Sequence, residues 1–341
     1  MWRAAAPSKG MTLRKLALLA TPLALVVIVL GAFVRLSDAG LGCPDWPGCY
    51  GQIDVPRDAG EIARANAAFP ERPVDVAKAW IEMIHRYAAA ALGLLILAIG
   101  ALAWRQRREP DAALATALSL VALVLFQGLL GMWTVTLQLK PVVVMAHLLG
   151  GFGTLALLWW LILRQTPAAA GWARGEDSRL HRWVFAGLAL VVVQVSLGGW
   201  TSANYAALAC PDFPACQRQW WPEMDFAEAF VMWRGLGVNY EYGVLDNAAR
   251  TAIHMAHRLG ALVVLLYMGW LAVRSACFAA AKKVRIAGAA VGALTLAQVS
   301  LGIANVWFYL PMSSALAHNA CAILLILALI TMGHGLRPAK N

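Results

Sequence analysis

Charged residues are scarce in this sequence. They make up 13% of its 341 residues, and hydrophobic residues make up 61%, whereas a soluble domain carries about 25% charged residues. This scarcity excludes an ordinary soluble domain. Apolar stretches of about 20 residues, long enough to cross a bilayer as a helix, recur along the chain. They predict eight membrane helices, at approximately 15–36, 80–104, 112–134, 142–164, 181–202, 248–273, 284–306 and 313–336.

Acidic residues are few as well, with 18 against 28 basic residues and a net charge of +10. The basic residues lie before the first predicted helix, after the eighth, and in every second loop between them. They are Arg3, Lys9, Arg14, Lys15, Arg105, Arg107, Arg108, Arg164, Arg174, Arg179, Arg182, Arg274, Lys282, Lys283, Arg285, Arg337 and Lys340. The positive-inside rule places these loops and both termini in the cytoplasm. Topology therefore explains the charge, and nucleic-acid binding is excluded.

No small-residue cleavage site follows the first apolar stretch, so we expect a membrane helix there and not a cleaved signal peptide. The sequence is also duplicated, because two cysteines, two histidines and a glutamine recur in one order at offsets of 167 to 172 residues. The matched pairs are Cys43 and Cys210, Cys49 and Cys216, His85 and His257, Gln127 and Gln298, and His147 and His318.

Each repeat contains four predicted helices, an even number, so both repeats have the same orientation in the membrane. We therefore predict an all-α integral membrane protein of eight transmembrane helices in two tandem four-helix bundles. The bundles comprise residues 1–170 and 171–341, and a pseudo-twofold axis along the membrane normal relates them.

The repeated histidines lie on the second and fourth helix of each unit, roughly 8–14 Å below the outer surface at 1.5 Å per residue. Two imidazoles on facing helices can bind one metal ion from opposite sides. No carboxylate or thiol cluster supplies the further ligands that zinc needs, whereas heme iron needs only two from the protein. The sequence thus predicts heme ligands in His85 with His147 and in His257 with His318.

Two alternatives qualify the histidine assignment. Each imidazole could instead donate a hydrogen bond to a neighbouring helix carbonyl. His254, three residues before His257 and on the same helix face, is a second ligand candidate, although the repeat register favours His257. Arg86 and Arg258, each directly after a ligand candidate, are expected either to pair with heme propionates or to extend toward lipid headgroups.

Glu82 distinguishes the two units, because His254 occupies the matching position in the second. A carboxylate near the hydrocarbon boundary needs a partner or a function. Glu82 is therefore a candidate proton acceptor, charge stabiliser or hydrogen-bond partner of the adjacent ligand. The difference suggests that one heme is acted upon while the other carries electrons.

The external loops each contain two cysteines, and we expect the disulfides Cys43–Cys49 and Cys210–Cys216, because disulfides persist outside the cytoplasm. Each disulfide either pins its loop over a heme pocket or takes part in thiol redox chemistry.

These residues together resemble heme A synthases over essentially the whole chain. The resemblance rests on Glu82-Met-Ile-His85-Arg86, His147, Val34-Arg-Leu-Ser37, Gly40-Leu-Gly-Cys-Pro-Asp-Trp-Pro-Gly-Cys49, His257-Arg258-Leu-Gly260 and His318. The second cysteine loop, with Gln219-Trp-Trp-Pro222 and Asp246, resembles the form of Gram-negative bacteria, which implies an inner-membrane protein with periplasmic cysteine loops.

The resemblance implies oxidation of the C8 methyl of heme O to a formyl group, through two hydroxylations and loss of water from a geminal diol. It implies that His85 and His147 hold the substrate heme, that Glu82 is catalytic, and that His257 and His318 bind a resident heme b. Membrane lipid, a heme O synthase, an electron-transfer partner and further copies of the chain are the implied partners.

Three other functions use the same features. A di-heme b-type electron-transfer cytochrome needs the four histidines but not Glu82. A thiol oxidoreductase needs the external cysteines. A transporter would need a substrate path, and the predicted helices contain too few charged residues to mark one.

Overall fold

A computed structural model describes residues 9–108, 113–172 and 179–337. Its eight long helices are α1 (Lys9–Leu36), α3 (Val76–Arg105), α4 (Leu114–Thr136), α5 (Pro141–Arg164), α6 (Leu180–Ala203), α8 (Asn247–Phe278), α9 (Lys282–Trp307) and α10 (Met312–Gly335). All eight are long and apolar enough to cross a membrane, and none of the described residues forms part of a strand. The predicted all-α membrane fold and its eight helices are confirmed, with ends displaced by up to six residues.

The long helices pack as two groups with the same internal contacts. In the first unit, α1, α3, α4 and α5 contact one another in a closed ring, and α6, α8, α9 and α10 form the same ring in the second unit. Between the units, α5 contacts α6, α1 contacts α10, and α5 contacts α10. A twofold axis would exchange the first two contacts and leave the third unchanged. The packing thus has the pattern expected of such an axis, while the axis and its direction in the membrane stay predictions.

The ends of α1 and α6 meet at one end of the molecule, so the first helices of the two units run in the same direction. The Arg35 guanidinium donates to the Ser202 carbonyl and lies 3.9 Å from the centre of the Tyr205 ring. The Tyr205 hydroxyl donates to Asp38 over 3.0 Å. Both cysteine loops also lie at this end. Each forms a disulfide-closed hairpin, and we therefore call it the hairpin end.

Two short helices at the hairpin end were not predicted: α2 (Ala59–Ala68) and α7 (Phe226–Ala229). Helix α2 begins with a capping box, in which Asp58 accepts from the Glu61 backbone N–H and the Glu61 carboxylate accepts from the backbone N–H of Asp58. That sequence signal was present but lay in a polar stretch assigned to a loop. Of the basic residues used to orient the chain, Arg3, Arg174 and Lys340 lie outside the described residues, as does the side chain of Lys9.

The 230–243 segment of the second loop crosses onto the first unit. The Tyr240 N–H donates to the Gln138 carbonyl over 3.0 Å, and Glu241 pairs with Arg72 at 3.0 Å. Lys140 is buried at the start of α5, where its ammonium group donates to the Gly235 carbonyl and lies 3.4 Å from the Trp233 ring centre. This segment therefore fastens the second unit to the turn that precedes the His147 helix.

We expect the close approach of α8 and α9 to require glycine at position 288. A Cβ at Gly288 would lie 2.5 Å from Ser275 Cβ and 2.8 Å from the Ala276 backbone nitrogen, whereas a Cβ at Gly269 would meet nothing within 4 Å. Gly288→Val should cost about 1–3 kcal/mol through overpacking and lower the thermal midpoint of the detergent-solubilised protein. Gly269→Val is the matched control, and equal midpoints for the two variants would contradict this packing.

Candidate functional site: two histidine pairs

The first histidine pair lies inside the first unit. His85 on α3 and His147 on α5 face each other with ring centres 6.4 Å apart and ring planes at 81°. Nδ1 of His147 and Nε2 of Gln127, from the neighbouring helix α4, are buried and have no hydrogen-bond partner among the described residues. Buried polar atoms of this kind call for an explanation such as a bound group.

The second pair repeats this geometry in the second unit. His257 on α8 and His318 on α10 lie with ring centres 6.5 Å apart and ring planes at 74°. The structure therefore brings together the four histidines that the sequence selected, in the two pairs expected. His254 does not join them. One of its ring nitrogens is 3.3 Å from the Cys210 nitrogen and the other is 3.2 Å from Nε of Arg258.

A glycine on a neighbouring helix faces each imidazole. A Cβ added to these glycines would lie between 3.0 and 3.6 Å from Cε1 of the facing ring. The pairs are Gly31 with His85, Gly131 with His147, Gly198 with His257, and Gly302 with His318. A side chain at three of these positions, all but Gly131, would crowd the ring. Gly31, Gly198 and Gly302 thus let three of the imidazoles lie directly against the backbone of a neighbouring helix.

The ring separations fit a single iron ion between each pair. Two imidazoles that each bound one metal ion through a bond of about 2 Å, with about 1 Å more from the nitrogen to the ring centre, would have ring centres roughly 6 Å apart. No group of three or more histidine, cysteine, aspartate or glutamate side chains in the described ranges is arranged to hold a metal ion. The residues therefore suit a metal that brings its own equatorial ligands, as heme iron does.

The two cysteine loops form matching disulfide-closed hairpins, Cys43–Cys49 and Cys210–Cys216, as predicted. In the first, Cys49 and Gln52 exchange backbone hydrogen bonds, and Cys216 and Gln219 do so in the second. Gly51, at the turn of the first hairpin, has a φ of +75°, a conformation that favours glycine.

An aspartate organises the turn of each hairpin. Asp45 accepts from the backbone N–H groups of Tyr50 and Gly51, and Asp212 accepts from those of Gln217 and Arg218. Slight burial acts to raise the pKa of Asp212, but the hydrogen bonds from Arg218 and Gln217 outweigh it and hold that pKa below its ordinary value. The carboxylate therefore stays ionised and keeps the turn closed.

Arg86 and Arg258 hold the hairpins to their helices. The Arg86 guanidinium donates to the carbonyls of Asp45, Pro47 and Gly48 at 3.0, 3.2 and 2.6 Å. The Arg258 guanidinium donates to the matching loop at the carbonyls of Cys210, Asp212 and Ala215, at 3.0, 2.7 and 2.8 Å. The sequence analysis expected both arginines either to pair with propionates or to extend toward lipid, and it did not predict these contacts with the loops. Pairing with a propionate stays a prediction.

Glu82 and His254 occupy the same place in the two units and make the same contact. Each is only 4% exposed. The Cys43 N–H donates to Glu82 Oε2 over 2.9 Å, as the Cys210 nitrogen approaches His254. The other Glu82 oxygen pairs with Arg86. A buried carboxyl group therefore joins hairpin and helix in the first unit, whereas an imidazole does so in the second.

The sequence analysis gave no role to the four glycines that face the histidines, and it missed the partners of the second histidine pair. Gln194 Nε2 lies 3.0 Å from His257 Nδ1, and Gln298 Nε2 lies 3.1 Å from His318 Nε2. A signal was present, because Gln-x-x-x-Gly recurs at 127–131, 194–198 and 298–302. Of these residues only Gln127 and Gln298 served above, as a matched pair of the repeat, and the spacing of the motif alone does not reveal that it faces a histidine.

Comparison with known proteins agrees with this architecture. The family model described as COX15-CtaA, cytochrome oxidase assembly protein, matches residues 14–330. A heme A synthase of Shewanella oneidensis is 46% identical over 310 residues, which cover 91% of this chain and 92% of that protein. A heme A synthase of Rhizorhabdus wittichii is 27% identical over 365 residues, covering 99% and 98%. The heme A synthase COX15 of Arabidopsis thaliana is 26% identical over 342 residues, covering 91% and 71%. The chain belongs to the COX15-CtaA family of cytochrome oxidase assembly proteins.

Proposed function

We propose that this protein is a heme A synthase, an oxidoreductase that converts the C8 methyl group of heme O to a formyl group. Membership of the family and the 46% identity to a heme A synthase support this activity. The observation that carries the proposal is the acidic residue that only one of the two histidine sites has, Glu82 in the first where the second has His254. A di-heme electron carrier has no need for that difference.

The two units divide the work in this proposal. In the unit formed by residues 1–170, His85 and His147 hold the iron of the substrate heme O between α3 and α5. In the unit formed by residues 171–341, His257 and His318 hold a heme b. When bound, heme b supplies one-electron transfer to and from the reacting site. The ring separations of 6.4 and 6.5 Å support equal ligation in both units.

The reaction converts a methyl group and one water molecule into a formyl group, four protons and four electrons, through two successive hydroxylations and loss of water from the geminal diol. Those protons need an acceptor near the substrate. Glu82 is the only carboxylate in the described part of the chain that is buried, and it precedes His85 by three residues. Arg86 and the Cys43 N–H hold it in place, so that it can take up a proton released beside the bound heme.

The proposed setting follows from topology. The protein crosses the inner membrane of a Gram-negative bacterium eight times, with both termini in the cytoplasm and both hairpins in the periplasm. Heme O reaches it from a heme O synthase, and an electron-transfer partner removes the electrons. We also propose that the chain associates with copies of itself in the membrane.

Replacing Glu82 by glutamine tests the catalytic assignment. Glu82→Gln keeps an oxygen that can accept from Cys43 N–H but removes the charge, so heme A formation should fall by about 10² or more while both hemes remain bound. The measurement is chromatography of hemes extracted from membranes that express this chain with a heme O source. His85→Ala should remove the formyl product altogether.

His254→Gln, at the matching place in the second unit, is the control and should retain more heme A formation than Glu82→Gln. Undiminished heme A in the Glu82→Gln membranes would overturn the role of this carboxylate. Absence of heme A in wild-type membranes supplied with heme O would overturn the proposed function.

Opening the two disulfides separately tests what each hairpin does. Cys43→Ser with Cys49→Ser should lower heme A formation and leave heme b bound, because Cys43 positions Glu82. Cys210→Ser with Cys216→Ser should weaken heme b retention, because that hairpin contacts His254 and Arg258. Each change should also cost about 2 kcal/mol of stability, measured as thermal midpoint together with heme content.

A drop in thermal midpoint that accompanies the loss of activity identifies structural pinning as the role of the first disulfide. Loss of activity at an unchanged midpoint identifies redox chemistry instead. Unchanged heme A formation in the first double variant would contradict both roles.

A further inference from the structure

A cavity of about 300 Å³ lies where α1 meets α5 and α10, at the contact between the two units. Its walls are mainly leucine, isoleucine and proline side chains, with Thr21 and Trp159 as the two that carry a polar atom. The Thr21 hydroxyl donates to the Ala17 carbonyl, and the Trp159 indole N–H donates to the Thr331 hydroxyl, both over 2.7 Å. Both polar groups are therefore satisfied within the protein, and the cavity is apolar.

The cavity follows α1 from near the end opposite the hairpins to the middle of the membrane. Leu18 and Leu25, which both line it, lie 5 and 12 residues after Leu13, where the membrane span of α1 begins. These positions are roughly 8 and 18 Å deep at 1.5 Å per residue. Leu18 is 45% exposed and Pro22 is exposed as well, so the cavity opens toward lipid. Its direction and depth are those of an acyl chain.

The matching place in the second unit is occupied by an aromatic ring. Phe185 matches Leu18, and Gly333 matches Ile162, at the offsets of 167 and 171 residues. A Cβ at Gly333 would lie 3.3 Å from the Phe185 ring, and the His181 ring centre lies 4.7 Å from that of Phe185. The phenylalanine thus packs against bare α10 backbone where the first unit has its cavity. The opening is therefore a difference between the two units and does not follow from the duplicated packing.

The end of the molecule opposite the hairpins carries positive charge. Every described aspartate and glutamate lies at the hairpin end, so the described part of the opposite end contains basic side chains and no carboxylate. Two of its arginines, near the ends of α5 and α10, have partners in the protein. Arg164 donates to the Thr116 hydroxyl over 3.5 Å, and Arg337 lies 4.2 Å from the centre of the Trp160 ring.

Arg14 and Lys15 lie at the mouth of the cavity on α1. Arg14 precedes Leu18 by four residues and Leu25 by eleven, and Lys15 precedes Leu18 by three, so both lie on the helix face that lines the cavity. Helical side chains lean toward the N-terminus, which places both cations on the headgroup side. Nε of Arg14 is buried and has no hydrogen-bond partner in residues 9–108, 113–172 and 179–337. A buried donor of this kind calls for a bound partner.

We propose that this cavity binds an acyl chain of an anionic phospholipid, whose phosphate group pairs with Arg14 and Lys15. Arginine binds phosphate oxygens through paired hydrogen bonds, and basic pockets between membrane helices hold anionic headgroups. A zwitterionic lipid would bring a cation that this end, without a described carboxylate, cannot pair. Because the cavity lies between helices of both units, the bound lipid also stabilises their contact.

Titration of the full-length, detergent-solubilised protein with dioleoyl phosphatidylglycerol, followed by native mass spectrometry, tests the headgroup pairing. Dioleoyl phosphatidylcholine, with the same chains, is the zwitterionic probe. The wild type should bind phosphatidylglycerol more tightly and gain thermal midpoint on binding it. Arg14→Gln should weaken that binding about fivefold, as expected for one cation beside an anionic headgroup. Arg14→Lys, which keeps the charge, should restore most of the affinity.

Arg285→Gln is the matched control. It removes the same charge at the same end from α9, which contacts neither α1 nor α5, and its lipid binding should equal that of the wild type. Leu18→Phe tests the cavity with the residue that the second unit has at this place. It should weaken binding of both lipids, while the thermal midpoint without lipid stays at or above the wild-type value, because filling a cavity does not loosen the bundle.

Three results would overturn the proposal. Equal affinity of the wild type for the two lipids would remove the role of the headgroup charge. Equal losses in Arg14→Gln and Arg285→Gln would show a general attraction to the basic end. If Leu18→Phe separates a dimer into monomers and leaves lipid binding unchanged, a helix of a second copy of the chain occupies the cavity. None of these measurements depends on heme, so the proposed function stands or falls separately.

Discussion

The approach of two imidazoles across facing helices is the constraint on which the rest of this structure depends. Ring centres 6.4 and 6.5 Å apart require helices close enough to hold one ion between the rings. Glycines at positions 31, 198 and 302, on helices that flank the pairs, leave space for three of the four rings beside bare backbone. Small residues at helix contacts are common in membranes, but here they make space for a side chain as much as for a helix.

The hairpins depend on the same helices. Arg86 and Arg258, one residue after His85 and His257, donate to three loop carbonyls each. A movement of either helix would therefore move its hairpin together with its histidine. Glu82 adds a buried carboxyl group to this junction in the first unit only. One of its oxygens accepts from the Cys43 N–H and the other pairs with the Arg86 guanidinium, so both oxygens have partners although the side chain is buried.

The sequence was sufficient for the helices, the repeat and the histidine pairs, because hydropathy and residue spacing report directly on what faces lipid and what recurs. It was not sufficient for contacts between different elements, because one sequence does not show which residues of one helix meet which residues of another. Arg86 was expected at a propionate or at the headgroups, yet it bonds a hairpin 38 to 41 residues away along the chain. Gln194 meets His257 across 63 residues, which spacing within one helix cannot indicate. Helix α2 was missed for a different reason. Its capping box of Asp58 and Glu61 is a local sequence signal, but only apolar stretches were used to predict helices.

A duplicated bundle that kept identical surroundings for both histidine pairs would hold two equivalent hemes. This chain instead differs in the side chains beside the two histidine pairs. Val27 stands where the second unit has Gln194, and Glu82 stands where it has His254. Gln194 Nε2 lies 3.0 Å from His257 Nδ1, whereas Glu82 accepts from the Cys43 N–H and pairs with Arg86. Because the duplicated units keep the histidines and change these neighbours, the proposed division of labour between the units has a structural basis next to each pair.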